Sequence, residues 1–155
     1  MAILYHPIDQ TTVDAWRAGG PDDYGAAPER MASKGEGNPC RSCLVDIPEG
    51  REMLLLSHRP FSAMQPYAET GPIFVCAACE KRESASAAPP VVESRKSFLL
   101  KPYTADERIA APGGRVVQTA EIDEACEAWF ARDDVAYVDI RSDMNNCFIC
   151  RVTRG

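Results

Sequence analysis

Two Cys-x-x-Cys pairs are the feature of this sequence that most constrains its fold. One pair is Cys40 with Cys43 and the other is Cys76 with Cys79. Two intervening residues allow a tight turn to direct both sulfurs at one point, and two such turns supply the four thiolates that Zn²⁺ prefers. The sequence therefore predicts one zinc ion bound by all four cysteines, although iron fits the same tetrahedral sulfur cage.

Four protein thiolates would complete the coordination sphere of the metal. Because catalytic zinc keeps an open position for water or substrate, a closed site of this kind is expected to be structural. The predicted role of the metal is to tie the 40–43 loop to the end of a strand at 72–76. Metal binding would then add to folding stability.

The other three cysteines favour burial over metal binding. Cys147 and Cys150 have the same spacing, but they lie in a run with strand character, in which positions i and i+3 point to opposite faces. Cys126 falls on the apolar stripe of an expected helix. We therefore expect Cys126, and one or both of Cys147 and Cys150, to be small buried hydrophobic residues.

Two alternatives to a four-cysteine zinc site remain open from the residues alone. A Cys-x-x-Cys pair can serve as a redox dithiol, usually at the start of a helix, but no convincing helix follows either pair. His58 could replace one cysteine as a metal ligand or act as a base beside a thiolate. A hydrogen-bonded structural role is the default expectation for both histidines, His58 and His6.

The size and charge of the chain restrict its class and its partners. Its 155 residues suit a single small domain spanning 1–155. A net charge of −6 offers no basic surface for phosphates and argues against nucleic-acid binding. Residues 1–10 lack a basic leader, and the apolar runs are too short for a membrane span. We expect a cytoplasmic protein with reduced cysteines and no membrane partner.

The hydrophobic pattern predicts an α+β fold, with a mostly antiparallel sheet and one main helix packed on it. The helix is expected over 120–131, with Thr119 as its cap. Residues 19–39 and 80–97 are expected to be exposed loops, and a hairpin is expected around the turn at 48–50. Strands are expected near 52–57, 72–76, 98–103, 115–118, 135–140 and 147–152.

Polar side chains at turns and strand ends are the candidates for ligand binding, because binding sites are commonly built from such positions. Tyr67 and Glu69 lie in a rigid turn between two prolines, and Arg141 and Asn146 flank the turn of the last expected hairpin. No nucleophile motif, phosphate loop or dinucleotide fingerprint accompanies them. The sequence thus predicts a ligand site but identifies no reaction.

Several strings in the chain are distinctive, among them Asn-Pro-Cys-Arg-x-Cys-Leu at 38–44 and Pro-Tyr-Ala-Glu-Thr-Gly-Pro-Ile-Phe-Val at 66–75. With further strings at 52–61 and 141–154, they resemble the bacterial family called domain of unknown function 1203. In that family a His often stands at the position of Cys76. Since His and Cys are both zinc ligands, the resemblance agrees with a metal site but implies no established activity.

Two functions are consistent with these patterns. The first is a small metal-binding protein with a structural zinc site, which acts as a binding or accessory module for a small molecule or a protein. The second is an enzyme, either a thiol-based redox protein or one with a small-molecule pocket near Tyr67, Glu69 and Arg141.

Overall fold

Residues 2–155, which the computed structural model describes, form eight strands and three α-helices. Met1 lies outside the described residues. It is the first residue of the expected domain 1–155 and of the 1–10 segment. The strands β1 to β8 are Ile3–His6, Glu29–Ala32, Glu52–His58, Gly71–Cys76, Ser97–Tyr103, Arg115–Gln118, Tyr137–Arg141 and Phe148–Arg154. The helices α1 to α3 are Gln10–Arg17, Pro90–Glu93 and Ile122–Phe130.

The strands pair into two antiparallel sheets. The five-stranded sheet has the order β1-β8-β7-β5-β6, and the three-stranded sheet has the order β2-β3-β4. The predicted α+β class and the antiparallel pairing are confirmed. The expected single sheet is divided in two. Among the described strands, β3 pairs with β2 and β4, whereas β5 to β8 form the other sheet with β1.

The larger core lies between the five-stranded sheet and α3. Every residue of β7 is buried, and α3 places Ile122, Cys126 and Phe130 against the sheet. The predicted apolar stripe of the helix is therefore confirmed. Thr119, the expected cap, instead begins a 3₁₀ turn, Thr119–Glu121, that precedes α3. The capping box is formed one residue earlier, by Gln118 with Glu121.

The smaller core lies between the three-stranded sheet and α1. Val13 and Trp16 are the buried face of this eight-residue helix, and they pack with Leu54 of β3 and Ile73 of β4. Asp9 caps α1 by accepting a hydrogen bond from the backbone N–H of Thr12 at 3.3 Å. No helix in the described part of the chain combines the length and apolarity that crossing a membrane requires.

Both expected loops contain regular structure. Within 19–39, β2 pairs along β3 as an exposed edge strand. Within 80–97, α2 buries Val91 and Val92, and the Val91 backbone N–H donates to the Leu44 carbonyl at 3.0 Å. Composition alone does not reveal either element, because each is stabilised by a distant partner.

The expected hairpin around residues 48–50 is wrong. Residues 44–47 do not pair with β3, whose two neighbours are β2 and β4. Leu44 instead turns into the larger core with a left-handed φ of 57°, while Asp46 forms an isolated bridge with Pro39. The segment therefore folds back on the first cysteine pair.

Candidate metal centre and adjoining cavity

The four cysteines of the two pairs form one cluster. Their sulfurs all lie within 4.8 Å of one another. The Cys40 and Cys79 sulfurs are 3.8 Å apart, and the Cys43 and Cys76 sulfurs are 3.9 Å apart. Cys40 and Cys76 are buried, whereas Cys43 and Cys79 are half-buried. The fold thus brings together the residues that the spacing selected.

The first pair lies in a turn that directs backbone N–H groups at one sulfur. Cys40 Sγ accepts hydrogen bonds from the N–H groups of Ser42 at 3.3 Å, Cys43 at 3.5 Å and Cys76 at 3.2 Å. The turn closes through the Leu44 N–H, which donates to the Cys40 carbonyl at 3.0 Å. A sulfur surrounded by donors is stabilised as the thiolate, which is the form that binds a metal.

The second pair is positioned by the end of β4. Cys76 is the last residue of that strand, and Cys79 follows in a short bend. The backbone N–H of Arg41 donates to the Phe74 carbonyl at 3.2 Å, which holds the first turn beside the same strand. One strand end therefore fixes both halves of the cluster.

Arg17 closes the cluster from the side of α1. Its Nη2 donates to Cys79 Sγ at 3.1 Å, and its Nε donates to the Cys76 carbonyl at 3.1 Å. The guanidinium brings positive charge to sulfurs that would be thiolates in a metal complex. Groups that hydrogen bond to metal ligands in this way orient them and tune their affinity.

The donor set fits a tetrahedral metal ion. With metal–sulfur bonds of about 2.3 Å, the sulfurs of a tetrahedron lie about 3.8 Å apart, close to the two separations measured here. Hydrogen bonding from the Cys43 thiol, and then from those of Cys76 and Cys79, lowers the pKa of Cys40 strongly. The contact with Cys40 raises the pKa of Cys76. Four sulfurs this close together could hold one metal ion, which would stabilise them as thiolates.

Three of the four predicted ligand-binding residues meet at a second place. Glu69 Oε2 lies 3.2 Å from Arg141 Nη1, and Asn146 Nδ2 donates to it at 3.4 Å. Lys101 Nζ lies 3.1 Å from the other oxygen of the same carboxylate. Burial alone would raise the pKa of Glu69, but Arg141, Lys101 and Asn146 together hold it below its usual value.

Tyr67 does not join this group. Its side chain is 39% exposed, and the Arg108 guanidinium lies 5.6 Å from the centre of its ring. It is not among the residues that line the cavity beside Glu69 and Arg141. The expected pocket near Tyr67, Glu69 and Arg141 therefore forms without Tyr67.

That cavity has a volume of about 180 Å³ and is also lined by His58, Asn146 and Cys147. Arg141 is a buried residue on its wall, with a side chain only 4% exposed. Within residues 2–155 its Nε and Nη2 make no hydrogen bond of good geometry, although the Tyr103 hydroxyl interacts with the guanidinium. A buried guanidinium with incompletely satisfied N–H groups is costly, which makes this cavity a candidate binding site.

Neither histidine belongs to the cysteine cluster. His58 Nδ1 lies 3.3 Å from Asp23 Oδ2, and burial lowers the pKa of His58 to about 4 even though Asp23 acts in the opposite direction. His6 contacts the hydroxyls of Ser84 at 2.8 Å and Thr153 at 2.7 Å. The expected hydrogen-bonded role holds for His6, and His58 does not replace a cysteine.

Comparison with protein families matches residues 37–154 to the family described as protein of unknown function, DUF1203. The chain belongs to this family. Searches among curated proteins and among solved structures gave no match. The four clustered cysteines of this DUF1203 protein, with Glu69, Arg141 and Asn146, lie inside the matched region, whereas Arg17 precedes it.

The remaining cysteines of the DUF1203 protein lie outside the cluster. Cys126 and Cys150 are fully buried in the larger core, and burial raises the pKa of both thiols, that of Cys126 to about 12. Cys147 is half-buried and lines the cavity just before β8. The third Cys-x-x-Cys is thus divided between a cavity and a core. The strand expected from residue 147 begins at Phe148, so Cys147 lies before the strand and Cys150 is a buried strand residue.

Sequence reasoning missed three basic residues around these DUF1203 sites. Arg17 reaches Cys79 across 62 residues, and Lys101 reaches Glu69 across 32. Arg41, inside the first Cys-x-x-Cys, is 2% exposed and donates from Nε to the Phe148 carbonyl at 2.7 Å. Contacts over such separations depend on tertiary structure, so no spacing rule indicates them.

Proposed function

We propose that this protein is a metal-braced binding module in which one structural zinc ion is held by Cys40, Cys43, Cys76 and Cys79. The observation that carries the proposal is the cluster of four sulfurs within 4.8 Å of one another. Four protein thiolates leave no position for a catalytic water, which favours a structural role.

The proposed brace acts between the two cores. β4 belongs to the three-stranded sheet and delivers Cys76, whereas Leu44, next to Cys43, is buried in the core of the five-stranded sheet. Metal bound by both pairs would fix these two positions relative to each other. Because the site is not preformed in an unfolded chain, the free energy of metal binding would appear as folding stability.

The proposed binding role lies in the cavity beside Glu69, Arg141 and Asn146. The incompletely satisfied N–H groups of Arg141 support a small-molecule ligand there more than an empty structural site. We further propose a cytoplasmic setting, where the thiols would stay reduced and available to the metal.

A thiol-based redox enzyme is less well supported. Cys40 and Cys76 do not begin helices, and the four sulfurs form one set. A redox dithiol generally uses a helix N-terminus to lower the pKa of one thiol of a single pair. The arrangement observed here suits a shared ligand better.

Metal analysis of protein purified without added metal tests the proposal. Native mass spectrometry and elemental analysis should find about one zinc per chain. In the folded protein, thiol titration should find Cys147 reactive, the four cluster cysteines protected by the metal, and Cys126 and Cys150 protected by burial. Cys79→Ser should lose the metal, whereas the matched variant Cys147→Ser, another half-buried cysteine, should keep it. Metal-free folded protein whose four cluster thiols react freely would contradict the proposal, and iron found in place of zinc would change the identity of the metal.

A further inference from the structure

A groove of about 920 Å³ runs between the two sheets beside the smaller cavity. The side chains of Phe74 from β4, Phe98 from β5 and Ile149 from β8 line it, so both sheets contribute. Met144, 89% exposed, lies at its mouth in the loop between β7 and β8. A volume of this size is typical of small-molecule binding sites.

Arg41 provides a buried positive charge at the wall of this groove. Its residue exposure is 2%, and its Nε and Nη1 donate to the carbonyls of Phe148 at 2.7 Å and Pro39 at 2.6 Å. Among residues 2–155 its Nη2 has no hydrogen-bond partner, and no ion pair includes Arg41. A buried N–H group without an acceptor is costly, and an acceptor in the groove would remove this cost.

The guanidinium of Arg41 carries a positive charge, as arginine does throughout proteins. Its planar fork binds best to a bidentate pair of oxygens. An oxyanion in the groove would supply that pair.

Arg95 and Lys96 line the groove with Arg41, and Asp143 is the one carboxylate on its wall within the described chain. Arg95 already forms an ion pair with Asp46, whose Oδ1 lies 2.8 Å from its Nη2. Asp143 already accepts a hydrogen bond from Ser97. In a protein of net charge −6, this groove has two basic side chains, Arg41 and Lys96, outside any ion pair of the described residues, and one carboxylate, that of Asp143. Local positive charge of this kind attracts anions and excludes cations.

We propose that this groove binds a small organic anion that has an apolar body and a carboxylate or phosphate group. The charged group would lie at Arg41, and the apolar body would pack against Phe74, Phe98 and Ile149. The proposal names the ligand class of the binding module, so it rests on the proposed binding role and not on the metal. The cavity beside Arg141 shares Cys147 and Asn145 with the groove, and it would accommodate one end of a longer ligand.

Titration of zinc-loaded protein with 8-anilinonaphthalene-1-sulfonate, an apolar fluorescent anion, tests the proposal. We expect saturable binding of one probe per chain, displaced by phenyl phosphate or by 3-phenylpropionate. Whichever compound displaces the probe at the lower concentration identifies phosphate or carboxylate as the preferred group. Because the same dye also reports loosely packed states, each variant must first show cooperative unfolding.

Variants at exposed positions keep this test independent of folding. Lys96→Glu and Met144→Glu each place negative charge at the groove and should weaken probe binding by roughly fivefold or more. Lys34→Glu, an exposed lysine outside the groove, changes the net charge as Lys96→Glu does and should leave binding within about twofold. Arg41→Lys, which retains charge but not the planar fork, should weaken binding by roughly tenfold.

Zinc content measured on the same samples separates the two proposals. Absence of saturable binding, or equal binding by the unaltered protein, Lys96→Glu and Met144→Glu, would overturn the groove proposal even if one zinc is bound. Groove binding by protein that contains no metal would overturn the metal brace and leave the ligand class supported.

Discussion

The two sheets of this protein differ in the surroundings of their cysteines. In the five-stranded half, Cys126 and Cys150 are surrounded by apolar side chains and act as small hydrophobic residues. In the three-stranded half, Cys40 and Cys76 face other sulfurs and backbone N–H groups. The same side chain therefore serves packing in one half and forms a candidate metal centre in the other.

The difference follows from how much apolar surface each half can bury. The larger half combines five strands with α3, whereas the smaller half has three strands and the eight-residue α1. Small units with little core commonly depend on a metal or a disulfide for stability. We infer that the smaller half depends on its cysteine cluster and that the larger half does not.

The largest expected effect is the loss of a metal ligand. Cys40→Ser should abolish tight zinc binding and cost about 4 kcal/mol, the stabilisation given by a metal present at a thousand times its dissociation constant. The melting temperature should fall by roughly 10 °C for a chain of this size. Hydrogen exchange should increase in β3 and β4 before it does so in β7 and β8.

Cys126→Ala is the matched control, because it removes a buried cysteine from the other half. We expect it to keep one zinc per chain and to cost about 1 kcal/mol. Equal destabilisation by the two variants would contradict the inference that only the smaller half depends on its cysteines. Retention of zinc by Cys40→Ser would contradict it as well.

A cavity in the larger core should produce the second-largest effect. Ile140 of β7 is fully buried, so Ile140→Ala should lower the free energy of unfolding by about 3 kcal/mol. Urea unfolding measures this change, and elemental analysis of the folded variant should still find its zinc. Val116→Ala, at a position 56% exposed on β6, should have almost no effect. Zinc release from folded Ile140→Ala would show that metal binding in the smaller half depends on packing in the larger core.

The hydrogen bond from Arg17 to Cys79 sharpens the comparison within the smaller half. Arg17→Met keeps the length of the side chain but removes the N–H donors and the charge. A competing chelator should remove zinc from this variant at roughly one tenth of the chelator concentration that the unaltered protein requires. Partners of metal ligands typically contribute that much to metal affinity. Arg132→Met, which breaks the surface pair with Asp134, is the control and should leave zinc affinity unchanged.

The smallest expected effect is a pH dependence from His58. Its folded pKa of about 4 lies below the unfolded value near 6.5, so its contribution to stability is full above pH 6.5 and is lost as the pH falls towards 4. Between pH 7.5 and 5.5 the zinc-loaded protein should lose about 1 kcal/mol more than His58→Asn. Urea unfolding measures the loss, with zinc content checked at each pH. Parallel profiles for the two proteins would contradict the assignment.

The sequence predicted the features that depend on local pattern. The two Cys-x-x-Cys turns, the apolar stripe of α3 and the strands that contain Met53 and Val75 each follow from spacing or periodicity. It also placed Glu69 and Arg141 in one site, because Glu69 lies in the turn before β4 and Arg141 is at the end of β7.

The features that sequence reasoning missed depend on distant partners. β2 is polar and is a strand only because β3 lies beside it, and α2 is anchored by the carbonyl of Leu44. Nothing in the local sequence shows that Leu44 adopts a left-handed conformation and ends the expected hairpin. The roles of Arg17 and Arg41 depend on hydrogen bonds to residues that are distant in the sequence.

The position of β1 and β2 has a consequence for any shortened form of this protein. Both strands precede residue 37, where the family match begins, and each is the outermost strand of its sheet. Trimming the chain to 37–154 would uncover the backbone of β8 in one sheet and of β3 in the other. Unpaired strand edges act as templates for self-association, so the trimmed protein should aggregate. The strands Ile3–His6 and Glu29–Ala32 thus cover the edges of β8 and β3, with which a second chain could otherwise pair.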